Sequence, residues 1–235
     1  MSSLYHSIVF DPLYNSLVLI FKVVPWIDAG LVVIGLTIAI RLILYPLSRK
    51  AVLTQVKMNE ISPELQEIKE KYKDKPEEQA KKTLSLYKEK GVNPFSGILV
   101  IIIQIPIILA LYQIFMHFPK VDPSFLYSFV QAPEHINTTF LGLIDISRKS
   151  ALIAFLAALS TYFQLHISSK GQNVNKSNSF SDNLTRNMQT QMKYFFPIIV
   201  FFISYRISGV IALYWLTTNL FSVAQELIVR KNIRQ

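Results

Sequence analysis

The chain has 235 residues, 51% of them hydrophobic and 12% aromatic, with no cysteine and a formal net charge of +9. Apolar runs long enough to cross a bilayer recur along it, which marks an integral membrane protein and not a soluble domain. The missing cysteines exclude disulfides, thiol chemistry and Cys-ligated metals, and the positive charge does not point to nucleic acid as a direct substrate. Residues 57–90 hold nine lysines against eight acidic residues, the pattern of solvated helical faces and not of a phosphate-binding stripe.

Residues 1–27, with "SIVFDPLYNSLVLIFKVVPW", have a short apolar stretch interrupted by Asp11, Pro12 and Lys22. This predicts an extracytoplasmic amphipathic helix lying at the membrane interface. No basic n-region or small-residue cleavage site accompanies it, so a cleaved signal peptide is not expected. A first span is expected over 28–48. The connection 49–94 follows, with Ser62 as N-cap, Pro63 at the first helical position and Gly91 as a stop. Its two amphipathic stretches, Ile61/Leu65/Ile68/Tyr72 and Ala80/Leu84/Tyr87, predict a cytoplasmic helical hairpin.

A second span is expected at 95–117, an extracytoplasmic loop at 118–149, and a third span at 150–168. The Ser- and Asn-rich segment 169–192 predicts a flexible cytoplasmic loop. Spans at 193–208 and 209–229 are joined by a tight turn, and 230–235 forms a short basic tail. Lys and Arg set the orientation. Eleven lie in 49–94, four in 169–193 and three in the C-terminal stretch, against one in the N-terminal segment, three in 118–149 and one in the last turn. The N-terminus is therefore expected outside and the C-terminus in the cytoplasm.

Polar groups inside the spans carry the functional argument, because an intramembrane charge costs roughly 2.5 kcal/mol or more. Arg41 stands inside "LTIAIRLILYP" (36–46), about two turns from the expected end of its span, with Arg49 and Lys50 beyond it as the true headgroup anchors. No Asp or Glu lies within any span's interior; Asp28 and Glu226 stand at ends. Arg41 therefore calls for a cavity lined by water and neutral polar side chains. Candidate walls follow from helical offsets: Thr37 one turn from Arg41; Ser160, Thr161, Gln164 and Ser168; and Trp215, Asn219, Ser222 and Glu226. Gln104 and Gln113 lie on nearly opposite faces, so at most one reaches the same cavity. The competing account of each is a hydrogen bond that glues two helices together.

Residues 192–231, "MKYFFPIIVFFISYRISGVIALYWLTTNLFSVAQELIVRK", resemble the last two spans of the YidC-type membrane protein insertases. The matching residues are Met192, Lys193, Tyr194, Pro197, Ser208, Gly209, Leu213, Tyr214, Trp215, Asn219 and Gln225. "NPFSGILVIIIQIP" (93–106), "STYFQLHIS" (160–168) and "RLILYPLSRKAVLTQVKM" (41–58) resemble further parts of the family's core, including its groove arginine. Ile98, Val100 and Arg206 depart from the family pattern without touching the groove.

The resemblance implies an all-α integral membrane protein. Five transmembrane helices would enclose a hydrophilic groove open to cytoplasm and lipid and closed to the outside, beside the hairpin and the interfacial helix. It implies a prokaryotic plasma-membrane insertase and chaperone that acts alone or with the Sec translocon and consumes no nucleotide. Its partners would be nascent membrane protein clients, the lipid bilayer, the ribosome and the Sec translocon. Arg41, Thr37, Gln104, Thr161, Gln164, Trp215 and Asn219 would form the client-binding groove, with no catalytic residue, no metal and no cofactor. The hairpin would receive clients. A small-solute transporter or channel is the alternative, since a pore can also use a lone arginine; it would ordinarily show paired repeats or broken helices at the midplane. A purely structural membrane chaperone is the nearest rival. An enzyme is disfavoured by the absence of any nucleophile–His–acid set or phosphate loop.

The orientation has a direct test. Because the chain has no cysteine, single cysteines introduced near Ser3 and Asn137 should react with an impermeant reagent from outside, and those near Lys75 and Asn178 should not. Outside labelling near Lys75 would reverse the assignment.

Overall fold

The computed structural model describes residues 3–93, 95–169 and 180–233, apart from the side chains of Ser3, 96–101 and 180–190. The protein is mostly helical. A short turn α1 (Ser3–Tyr5) and a π turn (His6–Phe10) lead into α2 (Asp11–Val23). These are followed by α3 (Ala29–Ile43), α4 (Tyr45–Glu60), α5 (Ser62–Lys71), α6 (Pro76–Glu89) and α7 (Ser96–His117). After two short strands come α8 (Ala151–Ser168), α9 (Phe180–Ile207) and α10 (Gly209–Ile233). Helix α8 is by itself long and apolar enough to cross a membrane, and α3 with α4 passes the same test as a bent pair.

That pair departs from the straight span expected over 28–48. Helix α3 ends at Ile43, and α4 leaves at an angle of 64°. Pro46 explains the break: it has no N–H to give to the carbonyl of Leu42, and its ring would collide with that carbonyl in a continuous helix. The Ser48 hydroxyl donates to Leu44 O and Tyr45 O, both at 3.1 Å, so carbonyls at the corner keep partners. Helix α4 then runs unbroken through the boundary expected at 48/49.

The fourth helix of the expected set also differs in length. Helix α9 begins at Phe180, within the segment expected to be a flexible loop. No Gly or Pro occurs from 180 to 196, so helical hydrogen bonding extends backward from the apolar part without a breaker. Residues 170–179 of that expected loop lie outside the described residues, as do 1–2 and 234–235 at the termini and Pro94 before the second apolar helix.

Helix α10 is the hub, touching α3, α4, α7, α8 and α9. Its buried apolar residues, Val210 to Leu213 among them, join Val32 and Val33 of α3 and Ala154 and Ala157 of α8 in the main core. Small residues such as these alanines let helix backbones approach closely. The π turn lays Phe10, and helix α2 lays Tyr14, Leu17, Val18 and Phe21, against the same core, so the apolar face of α2 is covered by protein. Helices α5 and α6 have a separate, small cluster of Ile61, Leu86 and Val92. Lys90 Nζ reaches Glu64 Oε1 at 2.7 Å across them. The Glu64 acceptor holds the Lys90 ammonium above the ordinary lysine range.

Residues 118–149 form a tightly bonded cap over one end of the helices. Buried Asn15 donates to Phe125 O at 2.9 Å and accepts from Tyr127 N at 2.7 Å, locking α2 to this segment. Strand β1 (Thr139–Phe140) pairs antiparallel with β2 (Ile144–Asp145) in register Thr139↔Asp145 and Phe140↔Ile144. Asp28 caps α3 by accepting from Leu31 N at 3.0 Å, and its other oxygen accepts from Leu141 N at 3.3 Å. The first amides of α10 find loop carbonyls: Gly209 N donates to Arg148 O at 2.8 Å and Val210 N to Ile146 O at 3.0 Å. Helix N-terminal donors that would otherwise be orphaned are thereby satisfied.

Gly209 is required by this closeness. A Cβ there would lie 3.0 Å from Ile146 Cα and 3.1 Å from Ile146 O, both backbone atoms that cannot swing away. Gly209→Ala should therefore lower stability by about 1–3 kcal/mol, read as an earlier thermal transition in detergent. A transition matching the parent protein would show that the cap is not seated on α10 in this way.

Candidate functional site

Arg41 lies in the last turn of α3, just before the bend, and not two turns inside a straight span. Its half-buried guanidinium is within electrostatic range of the Tyr214 hydroxyl on α10. The negative end of the α3 dipole, in the same turn, favours a cation there. Among the described residues no carboxylate pairs with Arg41. Glu226 is taken by Arg230, at 2.7 Å between Nη2 and Oε1, and by the Ser168 hydroxyl. Nor does the guanidinium hydrogen-bond to any described residue.

The tyrosine beside this cation is held in turn by α7. Tyr214 OH accepts from Gln104 Nε2 of α7 at 3.1 Å, so Gln104 is the glutamine that reaches it. Gln113 lies elsewhere, accepting from Tyr5 OH at 3.2 Å. Thr37, one turn from Arg41, is buried and donates to Val33 O of its own helix at 2.6 Å. Gln164 on α8 and Trp215 on α10 are half-buried and make no hydrogen bond to described residues.

Thr161 and Asn219 have a different setting from the groove wall expected of them. Asn219 is only 5% exposed, between α8 and α10. Its Nδ2 donates to Thr161 Oγ1 at 2.7 Å and Ser160 Oγ at 3.0 Å, while both hydroxyls donate to Ala157 O. This is a buried bolt between two helices. Helical offsets identified the faces correctly, but they carry no information on which neighbour covers each face.

A second polar cluster joins α4, α8 and α10; Ser168 and Glu226 were expected as cavity walls, but their partners were not anticipated. Gln225 Nε2 donates to Ser48 Oγ at 2.6 Å. Gln55 Nε2 and Arg230 Nη2 both donate to Ser168 O, at 3.0 and 3.4 Å, meeting a free carbonyl at the end of α8. The adjacent Gln225 and Glu226, a polar pair inside the span expected at 209–229, were the available signal. Tyr214 was also legible as a family residue but not as Arg41's neighbour. Among the described residues no group of three or more His, Asp or Glu side chains is placed to hold a metal ion.

The two polar settings should respond differently to substitution. Asn219→Ala removes a buried interhelical donor and should cost about 1–2 kcal/mol of thermal stability in detergent. Gln164→Ala, at a half-buried and unbonded side chain, should change it by less than about 0.5 kcal/mol. Equal losses at both positions would contradict the distinction between bolt and open wall.

Several proteins are similar to this chain along most of its length. A membrane protein insertase YidC of Clostridium tetani is 30% identical over 208 residues, covering 88% of this chain and 84% of that protein. One from Oceanobacillus iheyensis is 32% identical over 210 residues, covering 86% and 74% respectively. One from Wolinella succinogenes, a longer protein, is 26% identical over 219 residues, covering 91% of this chain and 37% of its own. The 60Kd inner membrane protein family matches residues 20–235, and with nearly the whole chain accounted for, this protein belongs to that family.

Proposed function

We propose that the chain is a membrane protein insertase of the prokaryotic plasma membrane, holding the polar part of a client beside Arg41 while the client's apolar helix passes into lipid. The relatives named as insertases support the activity. The observation that carries the mechanism is Arg41, a permanent cation whose donors no described side chain takes up. Its missing counter-ion comes from the client.

A carboxylate about 4 Å from a guanidinium gains only ~1 kcal/mol in bulk water but ~4 kcal/mol at an effective dielectric of 20. A half-buried site therefore attracts an acidic client segment without holding it permanently, as a buried carboxylate partner would. Tyr214 and Gln104 hold each other and leave Arg41 unengaged. Gln164 and Trp215 offer further unpaired polar atoms. Burial of the client's apolar helix in lipid supplies the outward drive.

In this reading α3, α7, α8, α9 and α10 are the five spans. The polar residues Asn219, Gln225 and Glu226 do not oppose spanning by α10, since each is bonded within the bundle. The groove opens toward the cytoplasm and lipid, and the cap of residues 118–149 closes the outside. Helices α5 and α6 form the cytoplasmic hairpin that receives clients. Ribosome and Sec translocon fit as partners on that side, the N-terminus lies outside, and no cofactor or nucleotide takes part.

Charge should then matter more than shape at Arg41. Arg41→Lys keeps the cation but loses the planar fork, and should retain part of the insertion activity. Arg41→Ala should impair clients with acidic tails by about tenfold, on the scale of one lost charge-assisted contact, and spare neutral ones. Arg41→Glu should be worst for acidic clients. The measurement is insertion yield of matched acidic and neutral clients into proteoliposomes, normalised to folded protein. Equal losses for both clients would remove the support for a counter-ion supplied by the client.

A further inference from the structure

The tip of the β1–β2 hairpin combines features that a water-exposed turn does not explain. Phe140, Leu141, Gly142 and Leu143 form a tight turn closed by Leu143 N donating to Phe140 O at 3.0 Å. Both central residues have positive φ, 51° at Leu141 and 70° at Gly142. Turns of this kind strongly favour Asn or Asp before the Gly, because a branched apolar side chain strains the left-handed backbone and gains nothing in return. Here the strained position holds Leu, 59% exposed, and the next residue but one is Leu143, 82% exposed. In water two projecting leucines would add an exposure cost to the backbone cost.

The base of the hairpin is rigid, so the tip is held outward. Phe140 packs over Gly30, where a Cβ would enter its ring. Ala29 N donates to Asn137 O at 2.8 Å, and the Asp28 carboxylate accepts from Leu141 N itself. These bonds place the tip at the first turn of α3. From that turn an exposed stripe of Leu31, Gly35, Ile38, Ala39 and Leu42 runs down α3 without a polar side chain. Trp26, 80% exposed, stands two residues before Asp28 at the same end, where the amphipathic indole ring suits the headgroup boundary.

We propose that Leu141, Leu143 and Trp26 are a lipid anchor, inserted into the acyl–headgroup boundary of the outer leaflet as the continuation of the lipid-facing stripe of α3. The occupant of this surface is lipid, because the exposed apolar tip is continuous with an exposed helical face that carries no polar group. The anchor fixes the depth of the cap, and through Asp28 and Asn137 the height of the end of α3. It goes beyond the insertase reading but rests on it for the side of the membrane on which the cap lies.

The test uses the full chain in vesicles of phosphatidylethanolamine and phosphatidylglycerol. A single cysteine at Leu143→Cys carries an environment-sensitive fluorophore, and the same label at exposed Glu134→Cys is the control. Lipids bearing a shallow nitroxide should quench the label at 143 at least about twofold more than the label at 134, and iodide should quench it correspondingly less. In the 143-labelled protein, Leu141→Asn should leave the thermal transition in detergent unchanged or higher, since Asn tolerates the turn, while reducing the nitroxide quenching. Iodide quenching at 143 equal to that at 134 overturns the proposal. Shielding from iodide without nitroxide quenching also overturns it, because a second copy of the chain then covers the tip. A leucine with a purely structural role predicts a lower thermal transition for Leu141→Asn and unaltered quenching. Nitroxide lipids in both leaflets report depth whichever side the cap faces. Failure of the orientation would therefore appear in impermeant labelling near Asn137, and failure of the anchor only in the quenching.

Discussion

A polar group carried into the interior of this protein costs least when another part of the chain bonds it, and α10 is where several such bonds meet. An amide left unpaired in an apolar surround costs more than the bond it could have made gains. Asn219 is answered by Ser160 and Thr161, Gln225 by Ser48, Tyr214 by Gln104, and Glu226 by Ser168 and Arg230. Together these fix α10 against α4, α7 and α8, while apolar packing holds it to α3. Arg41 stands out because so much around it is satisfied.

Much of this architecture was legible in the chain because hydrocarbon demands long apolar runs. The helices Ser96–His117 and Ala151–Ser168 fall on the apolar runs read at 95–117 and 150–168, and the break at Ser208 falls on the short connection between the last two runs. Arg41 was legible for the same reason, as the residue that a run of that length should not contain. The bend at Leu44 had a clear local sign in Tyr45–Pro46, but the apolarity of 28–48 outweighed it. Length and hydropathy describe a segment's total, whereas a missing N–H acts at one carbonyl.

What could not be read were the pairings across many residues. A stripe of Thr161 and Asn219 is the same stripe whether it faces a groove or a neighbouring helix, and only the packed partner decides between them. The cap of residues 118–149 posed the same difficulty. Asn15 with Phe125 and Tyr127, and Asp28 with Leu141, are separated by about a hundred residues or more, and nothing in local propensity matches one to the other.

Helix α4 emerges from this scheme as a two-point mount. Gln225 holds it at Ser48 and Ser168 holds it at Gln55, seven residues further on, about 10 Å along the axis at helical rise. These two bonds, with the packing of α4 on α7 and α10, fix its direction. The 64° corner at Leu44 therefore has its angle set by α7, α8 and α10 and not by the proline alone, which breaks the helix without choosing where the next one points. About 18 Å of helix runs from Ser48 to the end of α4, so a swing of only ~10° about Ser48 would carry Glu60 and the paired helices attached to it through ~3 Å. The placement of α5 and α6 is thus geared to how α4 is seated on its neighbours.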